Sequence, residues 1–218
     1  MEIEERIGEF LLAGFPGQQM DKTLAARICT LRPAGLIFFR RNIASPKQLA
    51  RLTSELQALA IRELGRPLLL AVDQEGGTVA RLPSPFAQLP DAATLGPGGC
   101  ELVSLHLGRT AREMHLVGLN LNLAPVLDVK APASAGFMAR RSFGTEPSVV
   151  AECGIAAVTA IQAERIMATA KHFPGLGRAL KDPHRELPLV PASKQQLLQR
   201  DVLPFHAAVG VNVACVMT

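Results

Sequence analysis

Residues 68–72 of the chain are LLLAV, and the next residue is Asp73. This apolar run lacks the polar alternation of a half-exposed strand, so it predicts a β-strand that is buried on both faces, as in a parallel sheet. An aspartate placed directly after such a strand would lie at the carboxyl edge of the sheet. The strand and the polar group at its end set the pattern for the rest of the chain.

The same pattern of an apolar run followed by a helical segment recurs along the chain. Further strands are predicted from apolar runs at residues 8–13, 35–39, 120–123, 166–170 and 213–217. Helices are predicted from the leucine stripe of residues 49–59 behind Ser45-Pro46, from the apolar stripe of residues 150–161, and from the capping box of Ser193 and Gln196.

Alternating strands and helices, with no GxGxxG after the first strand, favour an α/β fold of the (β/α) barrel type over a dinucleotide-binding fold. The six predicted strands fall short of eight, and 218 residues fall below the ~250 of a typical barrel. We therefore expect a single domain over residues 1–218, a (β/α)8 TIM-barrel-type fold that is incomplete, with about six βα units. Its first and last strands would be open edges, through which the chain could self-associate.

The composition is that of an ordered globular protein, because 48% of the residues are apolar. A net charge of +4 with scattered Lys and Arg, and no Trp or Tyr to stack on bases, argues against nucleic-acid binding. The acidic N-terminus and the lack of a membrane-length apolar run predict a cytoplasmic protein that does not bind membranes. The cysteines lack a metal-ligand spacing and are predicted to be buried thiols: Cys29, Cys100, Cys153 and Cys215.

Polar residues follow three of the predicted strands. Asp73, Asp128 and the pair Lys171-His172 all come at the ends of apolar runs, where barrel enzymes carry their catalytic groups. A Lys-His pair supplies a cation and a polar donor to a ligand.

Asp182-Pro183-His184 follows ten residues after His172. An Asp two residues before a His can hold one ring nitrogen and tune the other, which suits proton transfer. The alternative is a polar loop in which Asp182 caps a turn and His184 is solvated.

Five blocks of sequence occur in the order seen in family 3 glycoside hydrolases. They are AVDQEGGTVARL (71–82), LNLAPVLDV (121–129), RSFG (141–144), AKHFPGLG (170–177) and DPH (182–184). The chain resembles this family from near residue 8 to its last residue, and looks most similar to the bacterial β-N-acetylglucosaminidases (β-hexosaminidases) of the NagZ type. The resemblance implies a retaining hydrolase that removes terminal β-linked N-acetylglucosamine from cell-wall (peptidoglycan) fragments during peptidoglycan recycling.

By this resemblance, five residues would bind the N-acetylglucosamine unit: Asp73, Arg81, Arg141, Lys171 and His172. Asp73 would accept hydrogen bonds from ring hydroxyls, and the cations would donate them. The alternative for Arg81 and Arg141 is an ion pair with a carboxylate at the barrel rim. No cofactor or metal is implied, and the expected partner is a small carbohydrate, a muropeptide that contains N-acetylglucosamine.

The resemblance also implies that His184 is the catalytic acid/base and that Asp182 is its partner. A His in this role departs from the two carboxylates of most glycosidases, yet it suits proton transfer near neutral pH. The family's nucleophile is an Asp after a later strand, beyond Thr218, so no nucleophile is assigned. Asp128 is not given that role, because its block matches a structural or rim position in the family.

The chain departs from the family's pattern at two positions in the loop after KHFP. Leu176 stands where the family has His, and Arg178 stands where a small or acidic residue is more usual. The polarity and ligand contacts of this loop are therefore expected to differ.

Two other functions stay open at this point. One is a sugar-binding remnant that keeps Asp73, Arg81, Lys171 and His172 but cannot turn over substrate, and hydrolysis of an aryl N-acetylglucosaminide would exclude it. The other is a metal-dependent barrel hydrolase with His172, Asp182 and His184 as ligands, which the lack of an HxH pair on an early strand disfavours. Activity that is insensitive to a chelator would exclude it.

Overall fold

The computed structural model of the chain describes residues 6–131, 136–181 and 185–218. In these ranges the chain forms one six-stranded sheet whose strand order follows the sequence. The strands are β1 (Leu12–Gly14), β2 (Gly35–Phe38), β3 (Leu69–Val72), β4 (Leu121–Asn122), β5 (Met167–Lys171) and β6 (Cys215–Met217). Every neighbouring pair is parallel, so all six carboxyl ends lie at one edge of the sheet.

A helix follows each of the first five strands. These helices are α1 (Lys22–Leu31), α2 (Pro46–Leu64), α3 (Gly99–Leu116), α4 (Pro147–Ala163) and α5 (Leu203–Gly210). The sheet curls into a half-barrel, which confirms the predicted α/β fold, an incomplete (β/α) barrel. Within the described residues, none of the helices combines the length and the apolar character needed to cross a membrane.

The local helix signals behave as predicted at α2. Ser45 Oγ accepts a hydrogen bond from the Gln48 amide, Gln48 Oε1 accepts one from the Ser45 amide, and Pro46 is the first helical residue. The leucine stripe of α2 and the apolar stripe of α4 are both buried. The capping box at Ser193 is also present, but its helix is only Lys194–Gln196 and continues as a π-helical turn, Leu197–Asp201.

The two faces of the sheet differ in burial. Alternate side chains of the strands join the main core between sheet and helices, among them Leu36, Phe38, Leu70, Val72, Ala168 and Ala170. The intervening side chains form a smaller cluster on the concave face, where Ala71, Leu121 and Leu123 are buried and Ile37, Leu69, Met167, Cys215 and Met217 are partly buried. The concave face is less covered, because the described sheet curls only part of the way around a barrel.

Two sequence expectations need correction. The strand predicted at residues 8–13 is shorter, because Ile7–Phe10 form a 3-10 turn in which Gly8 packs so closely that a Cβ there would lie 1.7 Å from the Leu31 carbonyl oxygen. All four cysteines are free, but burial holds fully only for Cys153 and is wrong for Cys100, which is exposed in the first turn of α3. Burial raises the pKa of the Cys153 thiol to about 11.

Candidate active site

The carboxyl ends of β3 and β5 bring two of the predicted residues together. Asp73 directly follows β3 and Lys171 is the last residue of β5. Lys171 Nζ lies 3.0 Å from Asp73 Oδ1, and the Lys171 side chain is only 3% exposed while that of Asp73 is 20% exposed. The ammonium therefore lies at the base of the site, and the carboxylate is its accessible partner.

Glu75 is the acceptor that the two buried cations share. Its Oε1 lies 2.6 Å from Lys171 Nζ, and its two oxygens accept from Arg141 Nε at 2.8 Å and Arg141 Nη2 at 2.9 Å. Burial by itself would raise the pKa of Glu75, but the hydrogen bonds from Arg141 and the charge of Lys171 outweigh it and hold the pKa below its ordinary value. Burial likewise opposes the charge of Arg141, and Glu75 outweighs it, so the pKa of Arg141 is raised. Both partners are fixed charges at neutral pH.

Arg141 connects this pair to His172. The alternative role predicted for Arg141, an ion pair with a carboxylate, is present as the bidentate contact with Glu75. Arg141 Nη2 also lies 3.4 Å from His172 Nε2. The ion pair therefore orients the guanidinium toward the imidazole and does not remove it from the site.

Asp128 holds His172 on its other ring nitrogen. Asp128 Oδ2 lies 2.7 Å from His172 Nδ1, and Asp128 Oδ1 accepts from the Leu176 backbone amide at 2.5 Å. The Asp128 side chain is fully buried, whereas that of His172 is 22% exposed. The segment after β4 reaches this position because the Leu127 amide donates to the Lys171 carbonyl at 2.7 Å, which extends the pairing of β4 with β5.

Arg81 lies in the loop that follows β3. The Arg81 and Leu82 amides donate to Gln74 Oε1 at 2.8 and 3.1 Å, which closes this loop. Arg81 Nε is buried and has no hydrogen-bond partner in the part of the chain that the structure describes. A buried donor without a partner is costly, so Arg81 is a candidate for contact with a bound ligand.

The loop after β5 is also held by Asp201. Asp201 is fully buried and accepts from Arg178 Nε and from Arg200 Nη1, each at 3.0 Å. Gly175 packs against it, since a Cβ at Gly175 would lie 2.7 Å from the Asp201 Cβ, and its φ of +133° favours glycine. Arg178, a departure from the family's pattern, thus stabilises this loop through its ion pair with Asp201.

Known proteins share the sequence pattern and the fold of this chain. Residues 2–218 match the Glycosyl hydrolase family 3 N terminal domain. The chain belongs to glycosyl hydrolase family 3. Among curated relatives it is similar to the beta-hexosaminidase of Nitrosomonas eutropha, with 33% identity over 218 residues, covering 95% of this chain and 60% of the relative. It is 36% identical over 194 residues to the beta-hexosaminidase of Methylococcus capsulatus, covering 87% of this chain and 56% of the relative.

Solved structures of family 3 proteins have the same fold. A glycoside hydrolase family 3 beta-N-acetylglucosaminidase from Paenibacillus superimposes with a TM-score of 0.96 at 35% identity, covering 100% of this chain and 42% of the other. NagZ from Neisseria gonorrhoeae, solved with N-trifluoroacetyl-D-glucosamine, superimposes with a TM-score of 0.87 at 30% identity, covering 95% of this chain and 62% of the other. The chain thus spans about 60% of the length of the curated relatives named above.

The structure brings together four of the residues that the family 3 resemblance assigned to sugar binding. Asp73, Arg141, Lys171 and His172 form one network, to which Glu75 and Asp128 also belong. Arg81 shares no hydrogen bond or ion pair with this network within the described ranges. Glu75 was missed, although an acidic residue two positions after Asp73 at a strand end was a usable signal.

The proposed acid/base pair, Asp182 and His184, lies outside the described residues, so its roles stay predictions. In residues 6–131, 136–181 and 185–218 no group of three or more His, Cys, Asp or Glu side chains is placed to hold a metal ion. Two of the three ligands of the metal-site hypothesis are the same Asp182 and His184.

Proposed function

We propose that this chain is the sugar-binding and acid/base part of a β-N-acetylhexosaminidase that removes terminal β-linked N-acetylglucosamine. The observation that carries the proposal is the continuous network from Asp73 through Lys171, Glu75 and Arg141 to His172. A sugar ring presents hydroxyls that both donate and accept, and this network offers carboxylate acceptors beside cationic donors. Lys171 has three N–H donors, and within the described ranges two of them contact carboxylates, so one is available for a ligand.

Exposure divides the network into two layers. The side chains of Asp73 and His172 are 20% and 22% exposed, whereas those of Glu75 and Lys171 are 5% and 3% exposed. Asp73 and His172 would touch the sugar from the accessible side of the site. Lys171 would donate its remaining N–H from the base of the site, and Glu75 would hold the cations in place. Preorganised charges of this kind bind a polar ligand without the cost of reorganisation.

We infer the rest of the mechanism from the resemblance and from the names of the relatives. His184 would protonate the leaving oxygen and later deprotonate water, and Asp182 would orient it. In a retaining mechanism a carboxylate attacks the sugar, and by the resemblance that Asp belongs to a later βα unit. Peptidoglycan fragments that carry N-acetylglucosamine are the proposed substrates, with recycling in the cytoplasm as the proposed setting.

The binding half of the proposal is tested by titrating the 218-residue chain with N-acetylglucosamine, with N-acetylgalactosamine as the epimeric control. We expect saturable binding of N-acetylglucosamine, with Lys171→Met abolishing it, because the buried ammonium lies at the base of the site. Equal binding by the Lys171→Met chain would contradict the proposal.

A second candidate function is sugar binding without turnover, for which the network around Lys171 and Arg141 would be sufficient. Hydrolysis of an aryl N-acetylglucosaminide by the 218-residue chain would exclude this candidate. The same assay with a chelator tests the metal-dependent hypothesis, because loss of activity on chelation would support it.

We also propose that residues 1–218 fold as one domain and that the open edges of the half-barrel mediate self-association. Leu12 in β1 and Val216 in β6 are 37% and 42% exposed, and exposed edge strands pair readily with a second chain. Light scattering of the purified chain over a range of concentrations tests this. A mass that stays monomeric at high concentration would contradict it.

A further inference from the structure

We propose that Asp128 is a positioning residue that holds His172 as a neutral imidazole with its proton on Nδ1, so that Nε2 is a hydrogen-bond acceptor in the sugar site. The inference rests on the proposed function only for the identity of the ligand. The protonation state itself follows from contacts within the chain.

The first argument is the set of donors around the Asp128 carboxylate. Oδ1 accepts from the Leu176 amide, which can only donate, and Oδ2 lies 2.7 Å from His172 Nδ1. One proton is shared across that second contact, and a carboxyl is ordinarily a far stronger acid than an imidazole N–H or imidazolium. The proton therefore resides on Nδ1, and the carboxylate accepts on both oxygens.

The second argument is the position of Arg141. A guanidinium has only donors, and its Nη2 lies 3.4 Å from His172 Nε2. A proton on Nε2 would point at an N–H group. Arg141 cannot turn away, because Glu75 holds it through two hydrogen bonds. The lone pair of Nε2 therefore faces Arg141.

The remaining possible state is the imidazolium, which carries a proton on each nitrogen. Some of the surrounding charges favour this state and others oppose it. Asp128 favours it, and so do Asp73 and Glu75 at longer range, while Arg141 and Lys171 oppose it. The carboxylates of Asp73 and Glu75 already form ion pairs with Lys171 and Arg141. Lys171 and Arg141 are matched by the same two carboxylates, so the nearest contact of Nε2 decides. The imidazolium would carry an Nε2–H, and that proton would point at the N–H group of Arg141.

This state has a consequence for ligand choice. A sugar hydroxyl can replace the long 3.4 Å contact between the two side chains, because it can donate to His172 Nε2 while its oxygen accepts from Arg141. A carbonyl or an ether at the same place can only accept, so Nε2 would face it without a proton between them. Because Nε2 of His172 is an acceptor, it would select for a free hydroxyl on the ligand. This role contrasts with the donor role expected from the sequence.

Long-range ¹H–¹⁵N correlation spectra of the imidazole nitrogens test the assignment directly. The chain has five histidines, and the His172→Gln variant identifies the signals of His172. We expect the ligand-free chain near pH 7.5 to show His172 with a proton on Nδ1 and none on Nε2. A proton on Nε2, alone or together with one on Nδ1, would overturn the proposal.

Asp128→Asn tests the cause of that state. The amide oxygen must face the Leu176 N–H, so the NH₂ group would point at Nδ1 and move the imidazole proton to Nε2, as Asn does beside a catalytic His elsewhere. Asp91→Asn is the matched control, because Asp91 is also buried and caps a helix, a position that Asn accepts. Retention of the Nδ1 proton in Asp128→Asn would overturn the role of Asp128. The wild-type spectrum still decides the assignment where Asp128→Asn fails to fold.

Titration with N-acetylglucosamine separates this inference from the proposed function. We expect Asp128→Asn to bind the sugar about tenfold more weakly, because the hydroxyl proton would lose its acceptor at Nε2 and the new Nε2–H would face the Arg141 N–H. Binding equal to wild type would contradict the acceptor role. A wild-type chain that binds no N-acetylglucosamine would contradict the proposed function, while the spectrum would still decide the imidazole state.

Discussion

Two fully buried aspartates hold the loop after β5, and they differ in their partners. Asp128 accepts from the imidazole of His172 and a backbone amide, whereas Asp201 accepts from the guanidinium groups of Arg178 and Arg200. An imidazole can gain or lose a proton near neutral pH, and a guanidinium cannot. The comparison separates a carboxylate that sets the state of a site residue from one that pairs with two permanently charged side chains.

The largest effect on stability is expected from Asp201→Ala. The substitution leaves two guanidinium groups without their carboxylate, and because their side chains are 21% and 23% exposed, water offsets part of the cost. We expect a loss of about 3 kcal/mol in the free energy of unfolding, measured by urea denaturation. His172 should keep its Nδ1 proton in the folded fraction. A loss as small as that of a surface ion pair would remove the distinction between the two aspartates.

Glu75→Gln is expected to cost about 2 kcal/mol at pH 7, because two buried cations lose a charged acceptor. The pKa of Glu75 in the folded chain lies below its ordinary value of 4.5, so its carboxylate stabilises the fold above that pH. The contribution is lost as the pH falls through the folded-state pKa. The difference between wild type and Glu75→Gln should therefore be constant from pH 7 to about 5 and shrink below about 4.5.

Urea denaturation at a series of pH values measures this difference. Glu55→Gln is the control, because Glu55 is 37% exposed and pairs only at the surface with Arg51. A stability difference for Glu75→Gln that grows on acidification would contradict the ionised state assigned to Glu75.

Arg178→Ala is expected to have a smaller effect than Asp201→Ala. Asp201 keeps its contact with Arg200 at 3.0 Å, so the buried carboxylate stays paired and only one hydrogen bond to a charged group is lost. We expect about 1.5 kcal/mol by urea denaturation, together with faster proteolytic cleavage of the loop. Equal losses of stability in Arg178→Ala and Asp201→Ala would mean that the contact with Arg178 accounts for the whole contribution of Asp201.

The smallest effect is expected from Arg51→Ala. The Arg51 side chain is 81% exposed and contacts Glu55 at 2.8 Å on the surface of α2. Such pairs contribute roughly 0.3–0.5 kcal/mol, and salt screens them. The free energy of unfolding of Arg51→Ala, measured at low and high salt, gives the reference value for an exposed ion pair. A loss above about 1 kcal/mol would show that this pair is not a valid reference for the buried pairs.

The strands and the shared position of their polar ends could be predicted from the sequence, for a physical reason. A strand buried in a parallel sheet needs a continuous apolar run, as at residues 68–72, and parallel pairing then places every carboxyl end at one edge. Asp73 and Lys171 lie 98 residues apart in the sequence, yet topology alone brings their strand ends together.

The partners within the site could not be predicted, because loop geometry decides them. Glu75 and Arg141 are 66 residues apart, and neither is in a strand. The capping box at Ser193 correctly predicted a helix start, but a local signal does not determine how the helix continues. Here it becomes the π-helical turn Leu197–Asp201, and that turn carries Asp201 to Arg178 and Gly175.

The hydrogen bond from Leu176 to Asp128 comes from the main chain, and this determines which substitutions the loop tolerates. Every residue except proline has that amide, so Leu in place of the family's His keeps the contact. The positions on either side have no such freedom, because a Cβ at Gly177 would lie 2.1 Å from the Val129 carbonyl oxygen and one at Gly175 would meet Asp201. Position 176 is thus a place where the surface of the loop can change its chemistry while the hold on the imidazole stays the same.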